Sequence, residues 1–255
     1  MSVSVASSGA GEDLVLVHGW GLHGGVFGDA VPLLAQSFRV HVVDLPGHGR
    51  SAFDCGPGLR AWAEAVQRAV PDRAAWLGWS LGALLAMRTA LDAVERISSL
   101  VLVGATPRFT ATAGWPHAQP VAVVDRFGRE LVANFRKTVQ SFLTLQSLGD
   151  DHAREQVRAI RPLLFEHGDP DPRGLAAGLA ILHDTDLRAE LAALSPPTLV
   201  IAGARDRLTP PGAAHAIAAL APNARVVITP GAAHAPFLNE PAAFVRQVTE
   251  FIHDR

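Results

Sequence analysis

Six short apolar runs, each closed by a glycine or a turn residue, constrain this chain more than any other feature. They occupy 14–18, 40–45, 75–78, 100–104, 198–202 and 225–229. Their apolar character is continuous rather than alternating, as expected of strands covered on both faces in a parallel sheet. Helical patterns lie between them, over 28–36, 59–70, 81–91 and 211–220, and a further one over 241–255 closes the chain. This alternation predicts an α/β fold built on a mostly parallel, doubly wound sheet. The 255 residues, 49% of them apolar, are enough for one large α/β core.

The alternation breaks over 107–190, which holds helical patterns, no convincing strand, and breakers at Gly149-Asp150-Asp151 and from His167 to Pro172. We expect one discontinuous core, 1–106 and 191–255, with 107–190 inserted as a helical cap. Ligands of open sheets bind beyond the carboxyl ends of the strands, so an insertion leaving the end of the 100–104 run is expected to lie over that region. The 22 basic and 24 acidic residues give a net charge of -2, so no global field points to nucleic acid or an anionic membrane. Cys55 is the single cysteine, which leaves no internal disulfide and fits a reducing compartment. The N-terminal stretch lacks the basic start and apolar core of a secretory signal, and no apolar run reaches membrane-span length. A cytoplasmic location and a monomer are expected.

Gly78-Trp79-Ser80-Leu81-Gly82 follows an apolar run and opens a helical pattern. In that context Gly-x-Ser-x-Gly predicts a nucleophile elbow, the serine standing on a turn too tight for bulky neighbours. The helix start beneath it favours developing negative charge. The alternative is a small core serine. A hydroxyl needs a base, and His234, in Gly231-Ala232-Ala233-His234-Ala235-Pro236, lies just beyond the last run. Asp206, after the 198–202 run, is the candidate to orient that imidazole; alternatively it serves as a helix cap or as a partner of Arg205 or Arg207. Ser80, Asp206, His234 is the chain order of the α/β-hydrolase triad. The Leu81 N–H is one candidate oxyanion donor. The Trp20 N–H, on the glycine-flanked loop His18-Gly19-Trp20-Gly21, is the second, unless Trp20 only packs. Asp44 is read as holding its loop together. The histidines show no metal-ligand spacing, so neither metal nor organic cofactor is expected.

HGWGLHGGVF, VVDLPGHGRS, WLGWSLGALLA, GARDRLTPP and AAHAPF together resemble the α/β-hydrolase superfamily over nearly the whole chain. More narrowly, LVHGWGLHGGVF, WLGWSLG, FRKTVQSFLTLQSLG and PGAAHAPFLNEP resemble the pimeloyl-[acyl-carrier protein] methyl ester esterases of biotin synthesis. The resemblance implies a serine carboxylesterase with Ser80 as nucleophile, His234 as base and Asp206 as acid. It puts Trp20 and Leu81 at the substrate carbonyl and Phe142, Leu143, Thr144, Leu145 and Gln146 along an acyl channel. The spacing of Phe135, Val139, Phe142 and Leu145 independently predicts a buried helical stripe.

The family grips an acidic acyl carrier protein with basic cap residues. Here Lys137, Arg154 and Arg158 take that role by resemblance, with Arg161 on the same helical face as the last two and Arg136 beside Lys137. The alternative is a solvated surface on which Arg154 and Arg158 pair with Glu155 or Asp151. Ser141 departs from the family pattern, which carries an arginine there, and Lys137 replaces another. Expected partners are an acyl carrier protein bearing a pimeloyl methyl ester and small ester substrates. Rival readings on the same fold are a short-chain carboxylesterase, a carbon–carbon bond hydrolase, and a non-catalytic ligand-binding relative. Dehalogenase and epoxide-hydrolase chemistry uses an aspartate nucleophile where this chain has Ser80.

Overall fold

A computed structural model describes residues 3–254. Among these residues seven strands form one sheet: β1 (Val5–Gly9), β2 (Glu12–Val17), β3 (Phe38–Val43), β4 (Ala74–Trp79), β5 (Ile97–Val103), β6 (Thr198–Gly203) and β7 (Ala224–Thr229). Their order is β1-β3-β2-β4-β5-β6-β7. All neighbouring pairs are parallel except β1 and β3. The six apolar runs are therefore the six parallel strands. β1 is the strand that hydrophobic patterning misses. Its sequence, VASSG, is largely exposed, because an edge strand with one solvated face needs no apolar run.

Among the described residues nine helices accompany the sheet: α1 (Ala30–Leu34), α2 (Leu59–Gln67), α3 (Leu81–Asp92), α4 (Val121–Ala133), α5 (Phe135–Gln146), α6 (Ala153–Ile160), α7 (Pro172–Asp184), α8 (Pro211–Leu220) and α9 (Pro241–His253). The closing helix ends at His253, and Arg255 of the expected pattern lies outside the described residues. α3 is buried along its length from Leu81 to Ala90, as its apolar circumference requires. Between β5 and β6 the chain forms α4 to α7 and short 3-10 turns, with only isolated bridges such as Thr110 to Gln119. Among the described residues no helix is long and apolar enough to cross a membrane.

The chain builds β3 on one side of β2 and then crosses to place β4 on the other. Strand order reverses there, which opens a crevice at the carboxyl edge between β2 and β4. The loop after β2 is braced from below. His18 Nε2 accepts the Leu45 N–H at 2.9 Å, so its proton sits on Nδ1, which donates to Gly19 O at 2.7 Å. Asp44 takes the Gly24 N–H at 2.8 Å and the Arg50 N–H at 2.9 Å, which is the loop-holding role expected of it. Burial, and then the neighbouring His48, pushes the His18 pKa down to about 3, and burial pushes His48 down to about 4.

Two predictions follow from this packing. A Cβ on Gly82 would overlap the carbonyl oxygen of Val17 and stand 2.7 Å from that of His18. Gly82→Ala should therefore cost about 2–3 kcal/mol, seen as a lower urea midpoint at unchanged slope; an unmoved midpoint would refute the clash. The second concerns acid. His48 is neutral in the folded state while an unfolded histidine protonates near pH 6.5, so the unfolded chain binds more protons below that value. Stability should fall by about 3 kcal/mol per such histidine between pH 6.5 and 4. His48→Gln should flatten the fall in urea midpoint, and an identical slope in the variant would count against it.

Candidate active site

The β4–α3 turn is built around Ser80, the one non-glycine residue with positive φ among the described residues, at φ 57°. That conformation costs an L-residue roughly 1–3 kcal/mol and persists only where surroundings dictate it. Here they do. A Cβ on Gly78 would overlap Gly82 O and lie 2.7 Å from Ala83 Cα, so strand and helix meet with no room for side chains. The Ser80 N–H is held by Val103 O at 3.0 Å on the adjacent strand. Its hydroxyl makes no hydrogen bond within the described residues and is left beside the helix start. The backbone of the loop after β2 comes so close that a Cβ on Gly19 would stand 3.2 Å from Ser80 Cβ.

His234 and Asp206 come from the two outer loops of the same edge, after β7 and β6. His234 Nδ1 donates to Asp206 Oδ2 at 2.7 Å, with both side chains fully buried. The proton on Nδ1 leaves Nε2 with its lone pair, and Nε2 is buried without a partner. Asp206 is otherwise saturated. Its Oδ1 accepts the Leu208 and Thr209 N–H groups at 2.8 and 2.9 Å, and its Oδ2 accepts the Thr209 hydroxyl at 2.7 Å. Thr209, whose Oγ1 also lies 3.3 Å from His234 Nδ1, is a member of this network that sequence reading missed. A Thr three residues after the acid is the local signal that could have found it. The Trp79 indole adds a bond to His234 O at 2.9 Å. Asp206 therefore serves the imidazole and caps its own loop at once. The salt bridges considered for it do not form: Arg205 pairs with Asp151 instead.

Leu81 and Trp20 have backbone N–H groups that no backbone acceptor occupies among the described residues. Leu81 is the first residue of α3, where N–H groups point outward and the dipole favours negative charge. The Trp20 side chain is fully buried, its indole donating to Leu175 O at 2.8 Å. It meets Phe142 edge-on at 5.1 Å between ring centroids. A Cβ on Gly178 of α7 would touch both Trp20 and Leu81, so α5 and α7 converge over the crevice.

Along α5, Phe142, Leu143 and Gln146 are buried and Leu145 is half-buried. Thr144 is exposed and its hydroxyl donates to Gln140 O at 3.2 Å. Five consecutive helical residues cannot share one face, and the buried set follows the helical repeat instead. The Gln146 side-chain amide is buried with neither atom partnered among the described residues, while the Gln146 backbone carbonyl accepts the His234 N–H at 3.3 Å. Lys137, Arg154, Arg158 and Arg161 are all exposed. None of the four has an ion pair among the described residues, and Asp151 is taken by Arg205. Arg136 is occupied, paired with Asp169 at 2.5 Å and stacked over Phe165.

One group of metal-ligating side chains among the described residues comes within 4.8 Å: His23, Glu166 and His167. His23 Nδ1 accepts the Gly25 N–H at 3.1 Å, which leaves the proton on Nε2, directed at Leu163 O at 2.8 Å. The nitrogen facing Glu166 is therefore a donor, and a metal there would have to displace that proton against the Gly25 bond.

The alpha/beta hydrolase fold family matches residues 14–241. A pimeloyl-[acyl-carrier protein] methyl ester esterase of Stenotrophomonas maltophilia is 44% identical over 96% of this chain and 94% of its own length. The protein of the same name from Edwardsiella ictaluri is 44% identical over 97% and 96%. Among solved structures, an esterase from Exiguobacterium antarcticum superposes with a TM-score of 0.89 at 23% identity, covering 98% of this chain and 95% of its own. A hydrolase from Pseudomonas aeruginosa gives 0.82 at 29%, covering 98% and 94%. With its strained serine at the β4–α3 turn, its sheet order and its near full-length relatives, this chain belongs to the alpha/beta hydrolase fold family and, within it, to the pimeloyl-[acyl-carrier protein] methyl ester esterase family.

Proposed function

We propose that this protein is a serine carboxylesterase that removes the methyl ester from a pimeloyl chain carried on acyl carrier protein, a step of biotin synthesis. The observation that carries the chemistry is the buried His234–Asp206 pair, with an unpartnered Nε2, at the sheet edge that also bears the strained Ser80. The substrate is argued from the name shared by relatives that match almost end to end.

Ser80 Oγ attacks the ester carbonyl as His234 Nε2 takes its proton. Asp206 holds the imidazole in the required tautomer and stabilises its cation. The Leu81 and Trp20 N–H groups receive the oxyanion. The imidazolium then protonates the departing methoxide oxygen, and methanol leaves. Water, deprotonated by the same nitrogen, attacks the acyl-enzyme; as the tetrahedral intermediate collapses the imidazolium returns that proton to Ser80 Oγ, and the free acid leaves and ionises. The 107–190 segment acts as the cap, in which Phe142, Leu143 and Leu145 form the apolar wall for the acyl chain. Gln146 offers an amide to a polar group of the substrate.

The carrier protein is acidic in this reading, and Lys137, Arg154 and Arg158 receive it. Their freedom from ion pairs supports this, since no internal partner must be displaced on docking. Steering by such rim charges acts mainly on association.

Ser80→Ala should lower the kcat for p-nitrophenyl butyrate by about 10⁴-fold or more with unchanged thermal stability. Turnover within tenfold of the parent would overturn the nucleophile. Charge reversal at Arg154 and Arg158 together should raise KM for the carrier-bound pimeloyl methyl ester by about tenfold and leave a free short ester unaffected. Equal effects on both substrates would remove the docking role.

A further inference from the structure

The loop that carries His234 is anchored from outside the sheet. Beyond the end of β7 its backbone bonds run to the turn that follows α5. The Ala233 N–H donates to Asp150 Oδ2 at 2.7 Å, the His234 N–H to Gln146 O at 3.3 Å, and the Asp151 N–H to Gly231 O at 3.0 Å. Asp150 Oδ1 accepts the His152 N–H at 2.8 Å, which fixes the plane of the carboxylate. Arg205 closes the seam. Its N–H donates to Ala232 O at 2.9 Å, and its guanidinium donates to Gly149 O at 3.1 Å and pairs with Asp151.

Asp150 is only 8% exposed, and among the described residues no cation pairs with it. A carboxylate so placed is costly unless hydrogen bonds satisfy it, and both its oxygens are spent on backbone N–H groups. One of those N–H groups belongs to the residue immediately before the imidazole. Neither the triad nor the fold requires an acid here, because the sheet register and the Asp206 bond are made without it.

We propose that Asp150 is a positioning residue for His234: it fixes the base loop through the Ala233 N–H and ties the imidazole to the end of α5. The helix that lines the crevice and the base that serves it then move as one unit. The inference rests on His234 being the general base of an esterase. A displacement of about 1 Å in such a group is enough to lower a rate by about 10²-fold, while binding of a small ester away from the loop is untouched.

The test uses the full chain and p-nitrophenyl butyrate. Asp150→Ala should lower kcat by about 10- to 100-fold with KM within about twofold. Asp150→Asn, which keeps an oxygen for the Ala233 N–H, should recover part of that loss. The downfield proton resonance of the His234 Nδ1–H should be sharp in the parent and broadened in Asp150→Ala. An unchanged kcat, a change confined to KM, or an Asn variant no better than the Ala variant would each overturn the proposal. Should Asp150→Ala fail to fold, Arg205→Ala removes the outer half of the seam from an exposed position. It should lower kcat by about threefold to tenfold at constant KM, and parent-like kcat there would likewise overturn it. His234→Ala separates the two readings. An active His234→Ala removes the base itself, whereas an inactive one beside a parent-like Asp150→Ala removes only the role of Asp150.

Discussion

Close approach of backbone to backbone at the β4–α3 turn is the constraint on which the rest of the molecule depends. Helix α3 can begin directly at the end of β4 only because Gly78 and Gly82 let the two elements, and the end of β2, meet without intervening side chains. The turn forces Ser80 to φ 57°, and the bond from its N–H to Val103 O ties that strain to the next strand. The same crowding aligns strand ends. Val17 stands opposite Gly78, Trp79 opposite Val103, and Gly203 opposite Thr229. Loops leaving one straight edge converge on one place, so residues more than 150 positions apart in the chain share a site.

The chemistry of that edge follows from dryness. His234 and Asp206 are both fully buried, and a pair of potential charges in such a place is stable only when every polar atom is answered. Asp206 meets the requirement with backbone N–H groups, the Thr209 hydroxyl and the imidazole itself. His234 meets it at Nδ1 and not at Nε2. Nε2 is the one atom of the pair left unanswered among the described residues, in a network whose other hydrogen bonds the dry surroundings strengthen.

Local signals explain what could be read from the sequence. The parallel strands announced themselves as apolar runs because both their faces are covered, and Ser80, Asp206 and His234 each follow such a run. β1 was silent because its exposed VASSG has nothing to bury. Thr144 is exposed while Leu143 and Gln146 are buried, because a helix presents only every third or fourth residue to one side. Thr209 and Asp150 were invisible for a different reason. Their partners are backbone groups and side chains fixed only after the outer loops fold together, and no spacing rule encodes a contact across 83 positions such as that of Asp150 with Ala233. The free state of Arg154 and Arg158 was equally unreadable, since it depends on Asp151 having been taken by Arg205.

The helical stretch between β5 and β6 is joined to the rest of the molecule in two chemically different ways. On one side α7 meets the core through apolar and backbone contacts. Gly178 presses on Trp20, Trp62 and Leu81, Gly174 on Gly47, and the Trp20 indole is held by Leu175 O. Such contacts tolerate little change in volume. On the other side the turn after α5 is joined through directional hydrogen bonds to the loop of His234. Helix α5 takes part in both: Phe142 meets Trp20 edge-on at 5.1 Å, and Gln146 O accepts the His234 N–H at 3.3 Å. A change of volume at Phe142 is therefore felt at Trp20. Helix α5 is thus held on one side by packing, which resists changes in volume, and on the other by hydrogen bonds, which resist changes in orientation.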